Sequence, residues 1–226
     1  MSQNVVSLSG VHKSYALGEY EVHALRGVDL SIAEGEFTVI MGPSGSGKST
    51  LLNLLGCIDL PSTGTVEICG QNTNDRSEKD LAALRRENIG FIFQAFNLIP
   101  VLSVYENVEQ PLTYGKIGSA ERKDRVMAVL DRVGLADRAR QRPTQLSGGH
   151  QQLVSIARAI VGNPTVLLAD EPTGNLDSAS GEVVMNLMKQ LHASGTTVCM
   201  VTHDSRFLHL ADRKIEMLDG KMVREN

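Results

Sequence analysis

The stretch Gly42-Pro43-Ser44-Gly45-Ser46-Gly47-Lys48-Ser49 fits the P-loop pattern at every fixed position. It lies between an apolar, strand-like run (37–41) and a leucine-rich helical run that begins after Thr50. The glycines allow the backbone to wrap closely around phosphate oxygens, and the positive end of the following helix faces the same anion. We expect Lys48 to reach the β- and γ-phosphates and Ser49 to place a hydroxyl on Mg²⁺. The stretch therefore predicts a site for a nucleoside triphosphate, the alternative being a glycine-rich turn that holds no phosphate.

The composition is that of an ordinary globular protein. With 226 residues, 42% of them hydrophobic and 21% charged, the chain is long enough for one domain, or for one domain with an inserted lobe. Its net charge of −4 provides no general basic field, which argues against nucleic acid as a partner. The three cysteines, Cys57, Cys69 and Cys199, are widely spaced and indicate reduced core residues in a cytoplasmic protein.

No segment of the sequence predicts direct insertion into a membrane. Apolar runs stay well short of the roughly 18 residues that a spanning helix needs. The N-terminal stretch 1–4 carries neither a basic region nor an apolar signal core. Any role at a membrane is therefore expected to require a partner subunit.

Four short apolar runs predict buried strands, at 37–41, 89–93, 166–169 and 198–201. Each run leads into a polar or glycine-containing element: the P-loop, Gln94, Asp170-Glu171 and Thr202-His203. Ligands of open parallel sheets bind beyond the carboxyl ends of the strands, so these four ends are expected to converge on one nucleotide.

Helical stripes between these runs indicate an α/β fold. One stripe comprises Val126, Val129, Leu130 and Val133, and another comprises Val183, Val184, Leu187, Met188 and Leu191. Earlier in the chain, the alternation around Val28, Leu30 and Ile32 and around Val66 and Ile68 is typical of half-exposed antiparallel strands. Asp219-Gly220 predicts a hairpin near the C-terminus.

The acidic pair Asp170-Glu171 follows four apolar residues. Asp170 is placed to hold the Mg²⁺ shell, as an acidic residue does at the end of the second nucleotide strand. Glu171 could polarise the water that attacks the γ-phosphorus. The alternative is a charged strand end that precedes the turn at Pro172.

Two further residues at strand ends allow a functional and a structural interpretation. His203 could donate a hydrogen bond to the γ-phosphate, or it could bond local backbone. Gln94 could touch both Mg²⁺ and the attacking water, or it could cap a strand. The sequence leaves both alternatives open.

The segment Leu146-Ser147-Gly148-Gly149-His150-Gln151-Gln152 opens a predicted helix with Ser147 as its N-cap. The segment resembles the signature motif of the ATP-binding cassette ATPases, and its position between the P-loop and the acidic pair is that of the family. This resemblance covers essentially the whole chain. It implies a P-loop NTPase core of the RecA-like type, an N-terminal antiparallel β subdomain and an inserted helical subdomain at about 96–160, all within a single nucleotide-binding domain (1–226).

The resemblance also implies individual roles. Tyr15 matches the aromatic residue that stacks on adenine, Gln94 the loop that links the nucleotide to the transporter, and His203 the switch histidine. Asp177 matches the loop that communicates across the family's dimer. The resemblance implies that four residues take part in catalysis: Lys48, Gln94, Glu171 and His203. It implies that Mg²⁺ is bound by Ser49, Gln94 and Asp170.

Family membership implies a head-to-tail dimer of two copies, with each ATP held between one P-loop and the other copy's Ser147, Gly148, Gly149 and His150. Transmembrane permease subunits would then be the partners, which implies the cytoplasmic face of the inner membrane. The closer resemblance is to the lipoprotein-releasing and macrolide-exporting ATPases, on Phe93 to Leu98, Glu106-Asn107-Val108 and Asp170 to Asp177. Two positions depart from the family: His150 stands where glutamine or glutamate is usual, and Leu153 where arginine is usual.

Two functions of different classes follow from these observations. The first is an ATPase that powers a membrane export or lipoprotein-extraction complex. The second is a regulator that signals to a membrane partner by ATP-dependent dimerisation, without transported cargo. A cassette ATPase that acts on ribosomes or nucleic acid is disfavoured by the net negative charge and the single P-loop.

Overall fold

The computed structural model of this chain describes residues 3–18, 20–115 and 117–225. Met1 and Ser2, part of the N-terminal stretch considered above, lie outside the described residues. The strands are β1 Asn4–Leu17, β2 Tyr20–Ala33, β3 Phe37–Met41, β4 Thr63–Ile68, β5 Gln71–Asn72, β6 Ile89–Ile92, β7 Val166–Asp170, β8 Thr197–Val201, β9 Arg213–Leu218 and β10 Lys221–Glu225.

The strands form two sheets. The antiparallel sheet has the order β2-β1-β4-β5, and the larger sheet has the order β10-β9-β3-β8-β7-β6. In the larger sheet β9, β3, β8, β7 and β6 are parallel, and only the edge strand β10 runs antiparallel to its neighbour. This architecture confirms the predicted α/β class and the predicted antiparallel N-terminal part.

The predicted strands are confirmed, with small corrections at their ends. The run predicted as 89–93 stops at Ile92, and Phe93 leaves the strand with its ring stacked on Phe91 at a centroid distance of 4.3 Å. The third and fourth runs each gain one residue, since β7 includes Asp170 and β8 begins at Thr197. The predicted hairpin is formed by β9 and β10, whose paired residues include Leu218 and Lys221.

Six α-helices lie between the strands of the described chain. They are α1 Lys48–Leu55, α2 Glu78–Asn88, α3 Val104–Thr113, α4 Ser119–Arg132, α5 Gly148–Ile160 and α6 Ser178–Ala193. The segment expected to be a helical insertion (about 96–160) holds α3, α4 and α5. Of the predicted stripes, Val126 and Leu130 on α4 are fully buried. Val183 on α6 was wrongly included, because it is 54% exposed while the rest of its stripe faces the core.

The parallel sheet separates two hydrophobic cores. Leu167 and Ala169 of β7 face a core that includes residues of α3 to α6. Val166 and Leu168 face a second core, built with β1, β2, β4, α1 and α2. Successive side chains of a strand point to opposite faces, so a strand buried on both sides reads as a continuous apolar run. This double burial explains why the runs of β3, β7 and β8 were visible in the sequence, whereas β6 is buried at alternate positions only.

The cysteines are free, as the sequence indicated, and Cys57 and Cys199 are buried. Burial raises the pKa of the Cys57 thiol to about 11 and that of Cys199 to about 12, so both remain protonated at neutral pH. Cys69 is only partly buried. Within the described ranges no helix is both long and apolar enough to cross a bilayer.

Asn107 on α3 is a fully buried polar side chain that organises the loop before the helix. Its Oδ1 accepts a hydrogen bond from Ile99 N at 2.8 Å. Its Nδ2 lies within hydrogen-bond distance of three carbonyl oxygens, those of Ile99 (3.1 Å), Leu102 (3.2 Å) and Ser103 (2.9 Å). A buried backbone group left without a partner costs about 1–3 kcal/mol.

We therefore expect Asn107→Leu to lower the free energy of unfolding by about 2–4 kcal/mol, because several of these loop groups lose their partner. The measurement is urea unfolding followed by circular dichroism. Asn186→Leu on the exposed face of α6 is the matched control, with an expected change within about 0.5 kcal/mol. Equal stability of the two variants would contradict this account of Asn107.

Candidate functional site

A cleft of about 580 Å³ lies beyond the carboxyl ends of the parallel strands. It brings together the P-loop, Gln94, Asp170, Glu171 and His203, so the predicted convergence of four strand ends is confirmed. Every residue of 42–50 lines the cleft except Ser46, which is fully buried. Three residues of β2, Val22, His23 and Ala24, also line the cleft. These three residues could not be identified from sequence patterns, because the contact joins segments that are distant along the chain.

The P-loop leads directly into α1. Gly47 is the N-cap of this helix and has a φ of 99°, in the left-handed region that favours glycine. A Cβ at Gly47 would lie 2.5 Å from the carbonyl oxygen of Ala24, so a side chain there would also collide with β2. The unpaired N–H groups at the start of α1 therefore meet the cleft, which is the arrangement that binds phosphate.

Lys48 lies inside the curve of the P-loop. Its Nζ donates hydrogen bonds to the carbonyl oxygens of Gly42 and Pro43, each at 2.8 Å. The ammonium group is thus already held where the predicted phosphates would bind, and the loop backbone fixes its position.

Asp170 ends β7 next to the P-loop, and the Ser49 side chain lies close enough to influence its carboxylate. Burial raises the pKa of Asp170, and the nearby charge of Glu171 raises it further, while Ser49 and Lys48 act in the opposite direction. A carboxylate, a hydroxyl and the Gln94 amide are hard oxygen ligands of the kind that Mg²⁺ prefers. Among the described residues no cluster of three or more His, Cys, Asp or Glu could hold a metal alone. Mg²⁺ fits this small set because substrate phosphates normally complete its shell.

Glu171 is held in an uncommon backbone conformation, with a φ of 47°. Its Oε1 lies 2.8 Å from His203 Nδ1, and its Oε2 accepts longer bonds of 3.3 Å from Thr202 Oγ1 and His203 N. The Glu171 side chain is 13% exposed, whereas that of His203 is 72% exposed. The histidine therefore contacts the carboxylate on one side and the open cleft on the other.

Tyr15 does not itself line the cleft, but it lies directly beside it. It pairs across the antiparallel sheet with Val22, a lining residue. The Tyr15 hydroxyl donates to Asp59 Oδ2 at 2.9 Å, and Lys13 Nζ lies 4.9 Å from the centroid of the ring. Lys13 Nζ also contacts Asp59 Oδ1 at 2.6 Å. The sequence did not reveal these two partners, which fix the ring at the cleft edge.

The signature segment lies apart from this cleft. Ser147 is confirmed as the N-cap of α5, since its Oγ accepts from His150 N, and it also lies 2.9 Å from His150 Nδ1. Asp177 caps α6, accepting from Ser180 N at 2.9 Å, and these Ser180 hydrogen bonds lower its pKa. A Cβ at Gly149 would lie 2.7 Å from Ser180 Oγ, so the first turns of the two helices are in contact. Ser147 to His150 and Asp177 thus form a second group outside the cleft.

Leu153 stands where the family usually has arginine, and the structure shows its surroundings. It is only 9% exposed and belongs to the core that contains α3 to α6. The leucine fills an apolar position within one chain.

Comparisons with known proteins agree with this geometry. A family model described as ABC transporter matches residues 25–174. The chain is 49% identical over 225 residues to the macrolide export ATP-binding/permease protein MacB of Rhodopseudomonas palustris (strain BisB18), covering 100% of this chain and 34% of that protein. It is 46% identical over 219 residues to the uncharacterised ABC transporter ATP-binding protein YknY of Bacillus subtilis (strain 168), covering 97% and 95% respectively. The chain thus spans about a third of the length of its MacB relative and nearly all of YknY.

Solved structures give the same result. A dimeric bacterial ABC transporter cassette, MJ0796, matches with a TM-score of 0.91 and 48% identity, covering 98% of this chain and 97% of the other. A second dimeric structure of MJ0796, in a post-hydrolysis state with ADP and Pi bound, matches with the same TM-score of 0.91. These matches confirm the fold class expected from the sequence.

The raised pKa of Asp170 predicts a dependence of stability on pH. The folded chain binds a proton at this carboxyl more tightly than the unfolded chain does. At pH values above the raised pKa the carboxyl is ionised, and its burial then lowers the free energy of unfolding. This destabilisation disappears as the pH falls below the ordinary pKa of an aspartate, because the carboxyl is then protonated in both states. We expect Asp170→Asn to raise the melting temperature at pH 8 without nucleotide, by an amount that shrinks as the pH is lowered towards 4.

The measurement is thermal unfolding of both proteins at several pH values. Asp124→Asn, at an exposed position on α4, is the matched control and should leave the melting temperature unchanged. A lower melting temperature for Asp170→Asn at pH 8 would show that local hydrogen bonds outweigh the burial of the charge.

Proposed function

This chain belongs to the ABC transporter family and is an ATPase, and on that premise we propose that two copies close around two ATP molecules to power a membrane export complex. The observation that carries the proposal is the division of functional groups into two sets. One set surrounds the cleft, and the other lies at the first turns of α5 and α6. A head-to-tail pair joins one set from each copy at each of two equivalent sites.

We propose that the cleft binds the triphosphate and the base. The P-loop (Gly42 to Ser49) with Thr50 would hold the phosphates through backbone N–H groups and Lys48. The Tyr15 ring would stack on adenine, an interaction generally worth about 1–3 kcal/mol. The contact of Tyr15 with Asp59 and Lys13 supports this role, because it orders the ring beside the cleft before the base binds.

We propose that Ser49, Gln94 and Asp170 hold Mg²⁺ with the phosphates. The ion would neutralise charge that develops on the phosphate oxygens during transfer. Asp170 carries a raised pKa, so it gains most from a cation that offsets its burial. Lys48 would approach the same oxygens from the P-loop side.

We propose that Glu171 is the general base that polarises the attacking water, a role typically worth about 10²- to 10⁴-fold in rate. His203 is the only other titratable side chain within 3 Å of its carboxylate among the described contacts. A histidine in this position could exchange its bond to Glu171 for one to the γ-phosphate, and so report whether that phosphate is present. Gln94 would position the same water from the neighbouring strand end.

We propose that the partner copy contributes Ser147, Gly148, Gly149 and His150, with Asp177 beside them. The start of α5 offers unpaired N–H groups to an anion, as the start of α1 does in the other half of the site. The close contact of the two helix starts supports a concerted role, since Gly149 lies against Ser180, whose N–H donates to the Asp177 cap.

Glu171→Gln is expected to trap the closed dimer, because the ATP contacts remain while hydrolysis slows by about 10²-fold or more. Size-exclusion chromatography with ATP and Mg²⁺ should show a dimer for this variant and a monomer without ATP. Glu182→Gln, the same chemical change at an exposed position of α6, should behave as the unchanged chain does. A Glu171→Gln chain that stays monomeric with ATP, but dimerises once His150→Gln is added, would contradict the proposal for His150.

We propose that a transmembrane permease docks in the groove beside the Gln94 loop. The groove has a volume of about 560 Å³ and includes Arg85, Arg86 and Arg158 around the rings of Phe91 and Phe93. Three cations around an aromatic floor suit a short helix with apolar residues and an acidic side chain. Docking there would place the chain at the cytoplasmic face of the inner membrane.

We propose that the complex belongs to the macrolide-export and lipoprotein-releasing type. Support comes from the relatives, since a macrolide export ATP-binding/permease protein is 49% identical over 225 residues. The match covers only 34% of that relative, whose remaining length has no counterpart among the 226 residues of this chain. The permease would therefore lie outside these 226 residues. The cargo is determined by that permease.

Affinity purification of the tagged chain from detergent-solubilised native membranes tests this assignment. We expect mass spectrometry to find a permease with a large extracytoplasmic domain. Arg86→Glu should reduce its recovery several-fold because it reverses a charge in the groove, whereas Arg125→Glu on α4, outside the groove, should not. Recovery of only water-soluble proteins would overturn the export proposal. A permease whose cargo leaves ATP hydrolysis unchanged would favour a regulator.

A further inference from the structure

Gln152 on α5 is a fully buried glutamine, and its helix neighbours Leu153 and Val154 belong to the hydrophobic core. Its Nε2 donates a hydrogen bond to Pro172 O at 2.7 Å and lies 3.4 Å from Phe93 O. Phe93 immediately precedes Gln94, and Pro172 immediately follows Glu171. One side-chain amide therefore contacts the backbone beside two residues of the proposed catalytic group.

Burying an amide is unfavourable unless its polar atoms find partners. Within the described part of the chain, Gln152 Oε1 has no hydrogen-bond partner. A leucine or methionine would fill the same space without an unpaired acceptor. The side chain is therefore difficult to explain by packing alone, and its useful contacts are those of Nε2.

The same two segments are joined a second time near the cleft. Asn175 Nδ2 donates to the carbonyl oxygen of Gln94 at 2.9 Å. A Cβ at Gly174 would lie 2.8 Å from Gln94 Nε2, so the side chain of Gln94 rests directly against this turn. The position of Gln94 is thus set by its contacts with the turn that begins at Glu171.

The far side of the Gln94 loop is attached to the end of α5. Arg158 donates to Phe96 O at 2.9 Å and to Asn97 O at 2.6 Å. Phe96 and Asn97 have φ values of 60° and 50°, which non-glycine residues adopt only at some energetic cost. The guanidinium fork binds both carbonyls of this turn in a fixed geometry, which a lysine could not reproduce.

We propose that Gln152 is a positioning residue for ATP hydrolysis, which sets the distance between Gln94 and Glu171 by binding the backbone of both segments. Arg158 fixes the other end of the Gln94 loop to α5. The loop then moves together with α5, whose N-terminus carries Ser147. The inference rests on the proposed function of this site. Gln94 is an exposed side chain on a loop, and a displacement of about 1 Å is enough to reduce a rate by about 10²-fold.

Gln152→Leu tests the proposal in the purified chain, because leucine fills the volume but cannot donate to Pro172 or Phe93. We expect kcat to fall by about 10-fold or more, with KM for ATP and the Kd for a fluorescent ATP analogue within about 2-fold of the unchanged chain. The Mg²⁺ concentration that gives half-maximal activity should rise, because Gln94 is a proposed ligand of the ion. A merely structural role would change the melting temperature without changing this Mg²⁺ dependence.

Ser155→Ala is the matched control. Ser155 lies one turn further along α5, is also fully buried, and has a hydroxyl without a partner among the described residues. Its removal should leave kcat and Mg²⁺ dependence unchanged. Rates are expressed per ATP-binding site, so that a loss of folded protein is not counted as a loss of kcat.

Arg158→Lys provides a second variant if Gln152→Leu yields little folded protein. It keeps the charge but loses the two-carbonyl contact, and it should lower kcat by about 3-fold or more with an unchanged Kd for nucleotide. Arg132→Lys, at an exposed position at the end of α4 outside both the cleft and the groove, is its control. Unchanged kcat and Mg²⁺ dependence in both Gln152→Leu and Arg158→Lys would overturn the inference. An absence of ATP hydrolysis in the unchanged chain and in Ser155→Ala would instead overturn the function on which it rests.

Discussion

Parallel pairing of β3, β8, β7 and β6 determines where the groups of the candidate site lie. Each of these strands ends at the same edge of the sheet, and the residues that follow have little freedom to separate. The ladder even extends one step beyond β7, because Glu171 N donates to Val201 O at 2.9 Å. The acidic pair is therefore positioned by the backbone of the sheet, and the side chains make only the final adjustments.

In this structure the charged groups at the cleft are paired with the chain itself. Lys48 contacts P-loop carbonyls, Asp170 contacts Ser49, and Glu171 contacts His203. Entry of a triphosphate requires that some of these contacts be exchanged for contacts with phosphate oxygens. These contacts hold the side chains in place at the cleft before any phosphate binds.

Local patterns allowed much of the architecture to be predicted. The P-loop, the four buried runs and the Ser147 cap each depend on residues that are neighbours in sequence, so the pattern itself specifies the structure. Val183 was misassigned because periodicity defines a helical face but not its width. Phe93 was misassigned because an apolar residue that directly follows a strand continues the apolar run in the sequence. In the structure its ring stacks on Phe91 beyond the end of the strand.

Contacts between distant segments could not be predicted in the same way. The pairing of Tyr15 with Asp59, the lining contributed by β2 and the bridge formed by Gln152 join positions far apart in the chain. Only the fold determines which distant residue supplies the partner. Leu153 belongs to the same class, since a resemblance indicated its usual residue but not whether the position is buried.

The left-handed backbone of Glu171 has an implication for protein engineering. Positive φ at a residue with a side chain generally costs about 1–3 kcal/mol, and glycine would relieve it. A selection for heat resistance alone would therefore tend to replace the residue to which we assign the role of general base. Libraries screened only for thermal survival would lose this position early. Any thermostable version of the chain would have to be selected with turnover as a simultaneous criterion.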